Sequence, residues 1–490
     1  MVMHFLRRVF FCGLIVCLSV LPLCAKTVIL TDNTTSSSIS CADKIIINSD
    51  VNLLGRVLAL PKNAVVSFEN GSISNGEIVF KRNLLSGGVK VFCKVSGSVR
   101  NDTLFVNWFL QDNDLDTIYK NGILTMSGMK EIHFKPDDYV ISVRRMNDGI
   151  RLKDVILDGE GCRISAKSGG SLVYSILPFY SCKNIIVKNF KLVGSEIEST
   201  ETGARHNMAL SACDGVLVKN VVSMNAFTDG LYLIGNDDIE VHGFKAYHSG
   251  RQGCSIISGN HILIKDCVFD GTYCFAPMAG LDIEPNTPQD ELNNIRIEGC
   301  SFTNNKAAGL NIMLRTRNEK TSCNISIKNC SFKENGFHVS VSSAPNSGSG
   351  LIDISQCKMT NSNGASFQSK CYSATGTPFV RFHDSELHNA NMNGGHDVRE
   401  QATFISVHNL SSASVQSDYG NIHFYNLTIK QDRVYTNKLR RAINLYPDDK
   451  WKICNVNISN IVFDINRKDD GEYQKWFVPS KRVKNVKVVK

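Results

Sequence analysis

Asp282 and Glu284 stand two residues apart in the run Ala279-Gly280-Leu281-Asp282-Ile283-Glu284. On a β-strand that spacing turns both carboxylates to one face and Leu281 and Ile283 to the other. Two carboxylates on one rigid face suit proton transfer, because neighbouring like charges resist joint ionisation and their pKa values separate. Glycoside hydrolysis is the reaction this serves best, with one carboxyl as acid and the other as base or nucleophile. The same oxygens could instead hold a divalent cation such as calcium. Arg251 would then grip a uronate carboxylate or abstract its α-proton, as in a polysaccharide lyase. Carboxylates on an outer strand face are also ordinary surface groups, so a non-catalytic glycan-binding or adhesive surface is the third reading. The hydrolase leads, with Asp282 and Glu284 as its acid/base pair and no resident cofactor or metal.

This strand is one of a series, each copy following a glycine: Gly230, Gly253, Gly280, Gly309, Gly336 and Gly364. Alignment on these glycines puts Tyr232, Ser255, Asp282, Asn311, His338 and Ser366 in one outward column. Ile234, Ile257, Glu284, Met313, Ser340 and Gln368 form the next. Asp282 is then expected between Ser255 and Asn311, with His338 two coils away. Asp229, Arg251, Gln252, Asn311, Tyr232 and His338 are the candidate substrate-binding residues. Of these, Arg251 and Asn311 would orient the sugar and Tyr232 would stack on its ring.

A second repeated strand requires those glycine-led strands to stack. Ile185-Ile186-Val187-Lys188-Asn189-Phe190 superimposes on copies starting at Val216, Ile239, Ile262, Ile295, Ile325 and Ile352, and on looser copies at Val380, Ile422 and Val456. A unit this small cannot bury its apolar face alone, so neighbouring coils must share one core. Coil length varies while register holds, which a solenoid of parallel strands tolerates and a sandwich does not. The expected fold is all-β, a right-handed parallel β-helix over residues 151–465.

The flanks follow from local pattern. Residues 26–110 form a strand-rich N-terminal module, either first turns of the stack or a separate cap. Residues 111–150 hold a short capping helix, with Leu115, Ile118 and Tyr119 at helical spacing, and the first coils. Residues 466–490 form a charged tail that covers the last coil and blunts its edge. Residues 1–25 read as a signal peptide, with Arg7-Arg8 before the apolar run Val9 to Leu23, so an exported location is expected. Lipid attachment at Cys24 is the competing reading of that segment. No later apolar stretch is long enough to span a membrane.

Composition narrows the partner. The net charge of +8 comes from 54 basic and 46 acidic residues spread along the chain, with no basic block interleaved with aromatics. Nucleic acid is therefore not expected, whereas a polysaccharide or oligosaccharide is. The 17 cysteines would suggest a disulfide framework in an exported protein. Yet Cys267, Cys300, Cys330 and Cys357 fall at one position of the repeat, where a buried thiol serves as a small hydrophobe. Mostly free thiols are expected.

Together, Val106-Asn107-Trp108-Phe109, the Ile-x-Ile-x-x-Cys-x-Phe strands, Arg251-Gln252-Gly253 and Ala276 to Asn286 resemble the pectin-lyase-like superfamily of right-handed β-helix proteins. The segment Phe68-Glu69-Asn70-Gly71 to Gly76 is similar to the N-terminal module of exported polysaccharide-acting proteins of gut Bacteroidetes. The resemblance implies this fold and activity on polysaccharide. The polygalacturonase pattern within that group is an Asn-Thr-Asp, an Asp-Asp pair one coil later and a Gly-His-Gly. Here it is matched only at Asp229, since Gln252-Gly253 stands at the Asp-Asp position and Ala279 at the histidine. The resemblance thus moves any catalytic carboxylates to Asp282 and Glu284.

Overall fold

The computed structural model describes residues 25–142, 149–167, 173–195, 204–316, 322–392, 403–408, 417–432, 441–446 and 450–465, and the backbone of strands 483–484 and 487–489. The expected signal peptide, up to residue 24, and Lys475-Trp476-Phe477-Val478 of the tail lie outside them.

Each coil begins with the Ile-x-Ile strand. Its alternation buries Ile185 and Val187 and their counterparts in every later copy. The next residue turns the chain through the left-handed region: Asn189 (φ 61°), Asn220 (53°), Gly243 (64°), Asp266 (52°), Gly299 (65°) and Asn329 (56°). Glycine enters that region freely, and Asn and Asp enter it at lower cost than other residues, which explains their recurrence here. Beyond the bend comes the cysteine position. The thiols of Cys267, Cys300, Cys330 and Cys357 donate to the carbonyl two residues earlier at 3.2–3.4 Å. A buried cysteine therefore fills space and satisfies an acceptor at the bend. Each of the fourteen cysteines among the described residues is a free thiol.

A short strand then carries an inward phenylalanine. Phe269, Phe302 and Phe332 stack at 5.4 and 4.7 Å along the stack. The glycine-led strand closes the coil against them. A Cβ on Gly253, Gly280 or Gly309 would come within 2.8, 3.1 and 2.8 Å of those rings, so close packing selects glycine there.

All named pairings are parallel except one isolated bridge, Ser373 to Tyr419. Register runs Ile185, Val216, Ile239, Ile262, Ile295, Ile325, Ile352, Val380, Ile422 and Val456, which is the alignment read from the repeat. At ~4.8 Å per rung these ten rungs span about 43 Å. The fold is a right-handed parallel β-helix. One buried apolar cluster extends from Leu30 to Ile465, so the N-terminal strands share the core of the stack.

The helix at Asp116–Lys120 differs from the expected cap. Leu115 N–H donates to Val140 O on one side, while Val95 N–H donates to Asn121 O on the other. The helix thus belongs to an intermediate rung between strands Val91–Val99 and Asp138–Ile141, because the N-terminal strands already cover that end. At the far end, strands Val483–Lys484 and Lys487–Val489 pair with Ile453–Ile465. Among the described residues no helix is long and apolar enough to cross a membrane.

Candidate active site

The glycine-led strands Asp229–Ile234, Gln252–Ile256, Ala279–Ile283, Ala308–Leu314, Phe337–Ser343 and Phe367–Tyr372 form one sheet face. Its central column reads Tyr232, Ser255, Asp282, Asn311, Ser340, Gln368. Asp282 sits between Ser255 and Asn311, as the alignment requires.

Asp282 faces outward yet is only 2% exposed. Gln252 Nε2 donates to one carboxyl oxygen at 2.9 Å and Asn311 Nδ2 to the other at 2.8 Å. Gln252 and Asn311, read from sequence as substrate contacts, thus use their amide N–H groups to clamp the carboxyl across the neighbouring rungs. Burial pushes the Asp282 carboxyl up to about 8, and the Glu284 carboxylate within hydrogen-bonding reach adds to the rise. The two amides oppose it without winning. Glu284 is half-buried, at the end of the strand where the chain leaves the sheet through Pro285.

Two rungs away a second cluster forms around Asp229, which is fully buried. Arg251 grips it through Nε at 2.8 Å and a terminal nitrogen at 2.6 Å. Ser255 Oγ donates to it at 3.0 Å, and His206 Nδ1 lies 3.2 Å away. Burial alone would raise this carboxyl, but His206 and Arg251 outweigh burial and hold it well below the usual carboxylate range. For Arg251, burial is outweighed by Asp229, which keeps the guanidinium charged. The bidentate pairing commits the Arg251 guanidinium to Asp229. Tyr232 does not offer an open ring face on its inner side. It stacks on His206 at 4.3 Å, and burial followed by Asp229 pushes its hydroxyl up to about 12.

His338 is not in the column. It is fully buried, in register with Gly309, and contacts the Phe332 ring at 6.0 Å and Asn335 Nδ2 at 3.1 Å. Two residues separate Gly336 from the usual strand start, so Ser340 takes the position assigned to His338 and Gln368 that assigned to Ser366. Burial pushes the His338 imidazole down to about 3. It is a neutral core residue, not a substrate ligand.

His206 was missed. It lies one minimum coil step before Asp229 and extends the same column, but the preceding segment lacks the repeat that would have exposed the alignment. Beyond Asn311 the face continues as a groove of about 190 Å³ bordered by Met313, Arg315, Ser340, Gln368 and Lys370. The carboxamide oxygens of Gln252 and Gln368 are buried and unpartnered at the two ends of this run. Among the described residues, the one group of acidic and histidine side chains close enough to share a cation is Asp237, Asp238 and His261. All three are exposed and belong to the turn and strand that follow the site sheet.

No protein-family model matches the chain. A search of curated proteins finds no match. Solved structures with a similar course include an exopolygalacturonase from Thermotoga maritima, at 10% identity, covering 74% of this chain and 91% of that one, with a TM-score of 0.49. The A-module of a mannuronan C-5 epimerase from Azotobacter vinelandii shares 11% identity over 73% of this chain and 90% of its own, with a TM-score of 0.47. The catalytic unit of an α-1,3-glucanase from Streptomyces thermodiastaticus shares 10% identity over 91% and 65%, with a TM-score of 0.43. By its strand order and register the chain is a right-handed parallel β-helix.

Proposed function

We propose that the chain is an exported polysaccharide-active enzyme that cleaves glycosidic bonds by proton transfer through Asp282 and Glu284. One observation carries this reading: a carboxyl 2% exposed, pushed up to about 8 by burial and by an adjacent carboxylate, on the outer face of a rigid sheet beside an open groove. A carboxylic acid that keeps its proton at neutral pH is what general-acid catalysis of glycoside cleavage requires.

Asp282 donates its proton to the leaving glycosidic oxygen, and the half-buried Glu284 takes a proton from incoming water. Gln252 and Asn311 hold both oxygens of Asp282, so the proton is directed towards Glu284 or substrate and not along the strand. The two carboxyls stand two residues apart on one face of one strand, not on opposite sides of a bound sugar. The sugar therefore lies across the pair, with the chain continuing along the Asn311–Gln368 groove. Arg251, fixed by Asp229, presents its remaining N–H groups to the opposite end.

The test is a polysaccharide screen that reads reducing ends and unsaturated, ultraviolet-absorbing ends separately. Reducing ends alone, reduced at least about a hundredfold by Asp282→Asn, are the expected result. Unsaturated ends would replace this mechanism with elimination. Retention of polymer without turnover would make the face a binding surface.

A further inference from the structure

A broad cleft lies far from the carboxyl pair, and nothing in the proposed mechanism uses it. It has a volume of about 650 Å³ and opens where the N-terminal strands meet the rungs of Leu104 and Ile132. Such a volume lies within the range of sites that hold small organic ligands. From the rung of Leu104 to that of Ile264, just before Asp282, the stack climbs six rungs, about 29 Å.

Trp108 forms its aromatic wall. The indole is half-buried, packed against the core and against Phe105 at 5.4 Å, so its position is fixed while part of its surface faces the cleft. Phe92 adds a second half-exposed ring. The polar lining mixes every hydrogen-bonding type: the Asp50 carboxylate, the Ser72 hydroxyl, the Gln111 carboxamide, and the ammonium groups of Lys90 and Lys135. Asn107 braces the wall, accepting from Lys135 N–H at 3.2 Å and donating to the buried Tyr139 hydroxyl at 3.0 Å.

This lining selects a ligand class. A phosphate or nucleic-acid site would gather cations of one sign, whereas here a carboxylate stands among the lysines. An apolar partner would leave the polar groups unpaired. A sugar ring satisfies both halves, since its C–H face covers an aromatic plane and its hydroxyls both donate and accept. We propose that the Trp108 cleft is a second saccharide-binding site, one that holds a polysaccharide chain while the carboxyl-pair face acts on another stretch of it. Two tethered contacts would raise apparent affinity without new chemistry at either. Saccharide binding in the cleft stands apart from the carboxyl-pair reading, and only its service to cleavage rests on that reading.

Gly88 borders the cleft, and a Cβ there meets nothing within 4 Å, so Gly88→Tyr fills the space without crowding the fold. The probe is affinity electrophoresis of the full chain in native gels containing pectin, alginate, xylan or α-glucan. The Asp282→Asn background prevents turnover during the run. At least one polymer is expected to retard this protein, with Trp108→Ala and Gly88→Tyr each weakening retention about tenfold. In the Asp282 protein the same two substitutions should leave cleavage of short oligosaccharides unchanged. Retention unaffected by Gly88→Tyr, or no retention by any of the four polymers, overturns the proposal. Absence of cleavage with cleft-dependent retention would instead sink the enzymatic reading alone.

Discussion

Asp282→Asn should make the protein more stable relative to wild type as pH rises, although it removes the proposed acid. In the unfolded chain the carboxyl titrates near its ordinary value of 3.8, and in the fold at about 8. The folded state therefore binds the proton more tightly, and its stability falls as pH rises between these values. Each pH unit well inside that window costs about 1.4 kcal/mol and the slope falls off near the folded value, so from pH 6 to pH 8 the loss is about 2 kcal/mol. Asparagine cannot ionise and escapes this cost. It brings an amide N–H₂ to one of the donors that now serve Asp282, a conflict that Gln252 can relieve by rotation, since its Oε1 is buried without a partner. Urea unfolding of both proteins, followed by circular dichroism at pH steps across this range, isolates the carboxyl pair because titrations not coupled to Asp282 cancel in the difference. A gap that widens by about 2 kcal/mol supports a buried, protonated Asp282. Parallel pH curves would refute it, and with it the general acid.

Other outcomes follow from the same contacts. Glu284→Gln removes the second cause of the raised Asp282 carboxyl, so the alkaline limb of the pH–rate profile should move down by about one pH unit or more. Arg251→Ala leaves the buried Asp229 with only His206 and the Ser255 hydroxyl and should cost about 3 kcal/mol in urea unfolding, most of it restored by adding Asp229→Asn. His338→Ala should lower stability by roughly 2–4 kcal/mol through the cavity it leaves, with kcat unchanged, since the imidazole faces the core. A thiol reagent should label Cys41 and Cys274 in the folded protein and reach Cys267, Cys300, Cys330 and Cys357 only after unfolding, as mass spectrometry of the labelled peptides would show.

Much of the scaffold was legible because each rung repeats the same local solution. The Ile-x-Ile alternation recurs at every coil, the left-handed bend is mostly Asn, Asp or Gly, and Cys follows it in the four coils from Cys267 to Cys357, each selected by backbone conformation or burial. That repetition fixed register from Ile185 to Val456 with no knowledge of contacts. Alignment failed where the repeat changed length. Counting from Gly336 put His338 on the outer face, whereas two added residues turn it into the core at the position of Gly309. His206 escaped notice for the same reason, since no repeated strand leads into it.

The Asp282–Glu284 pair shows the division most clearly. Sequence alone put both carboxylates on one face of one strand, because strand periodicity allows nothing else. It also put Ser255 and Asn311 on the adjoining rungs. Only the tertiary structure decided that this outer-face aspartate is buried, that amides from two rungs clamp it, and that Arg251 is committed to Asp229. Those properties depend on side chains brought together from coils 22–30 residues apart. Desolvation and charge at a site are set by what packs around it, and a linear alternation of residues carries no measure of that.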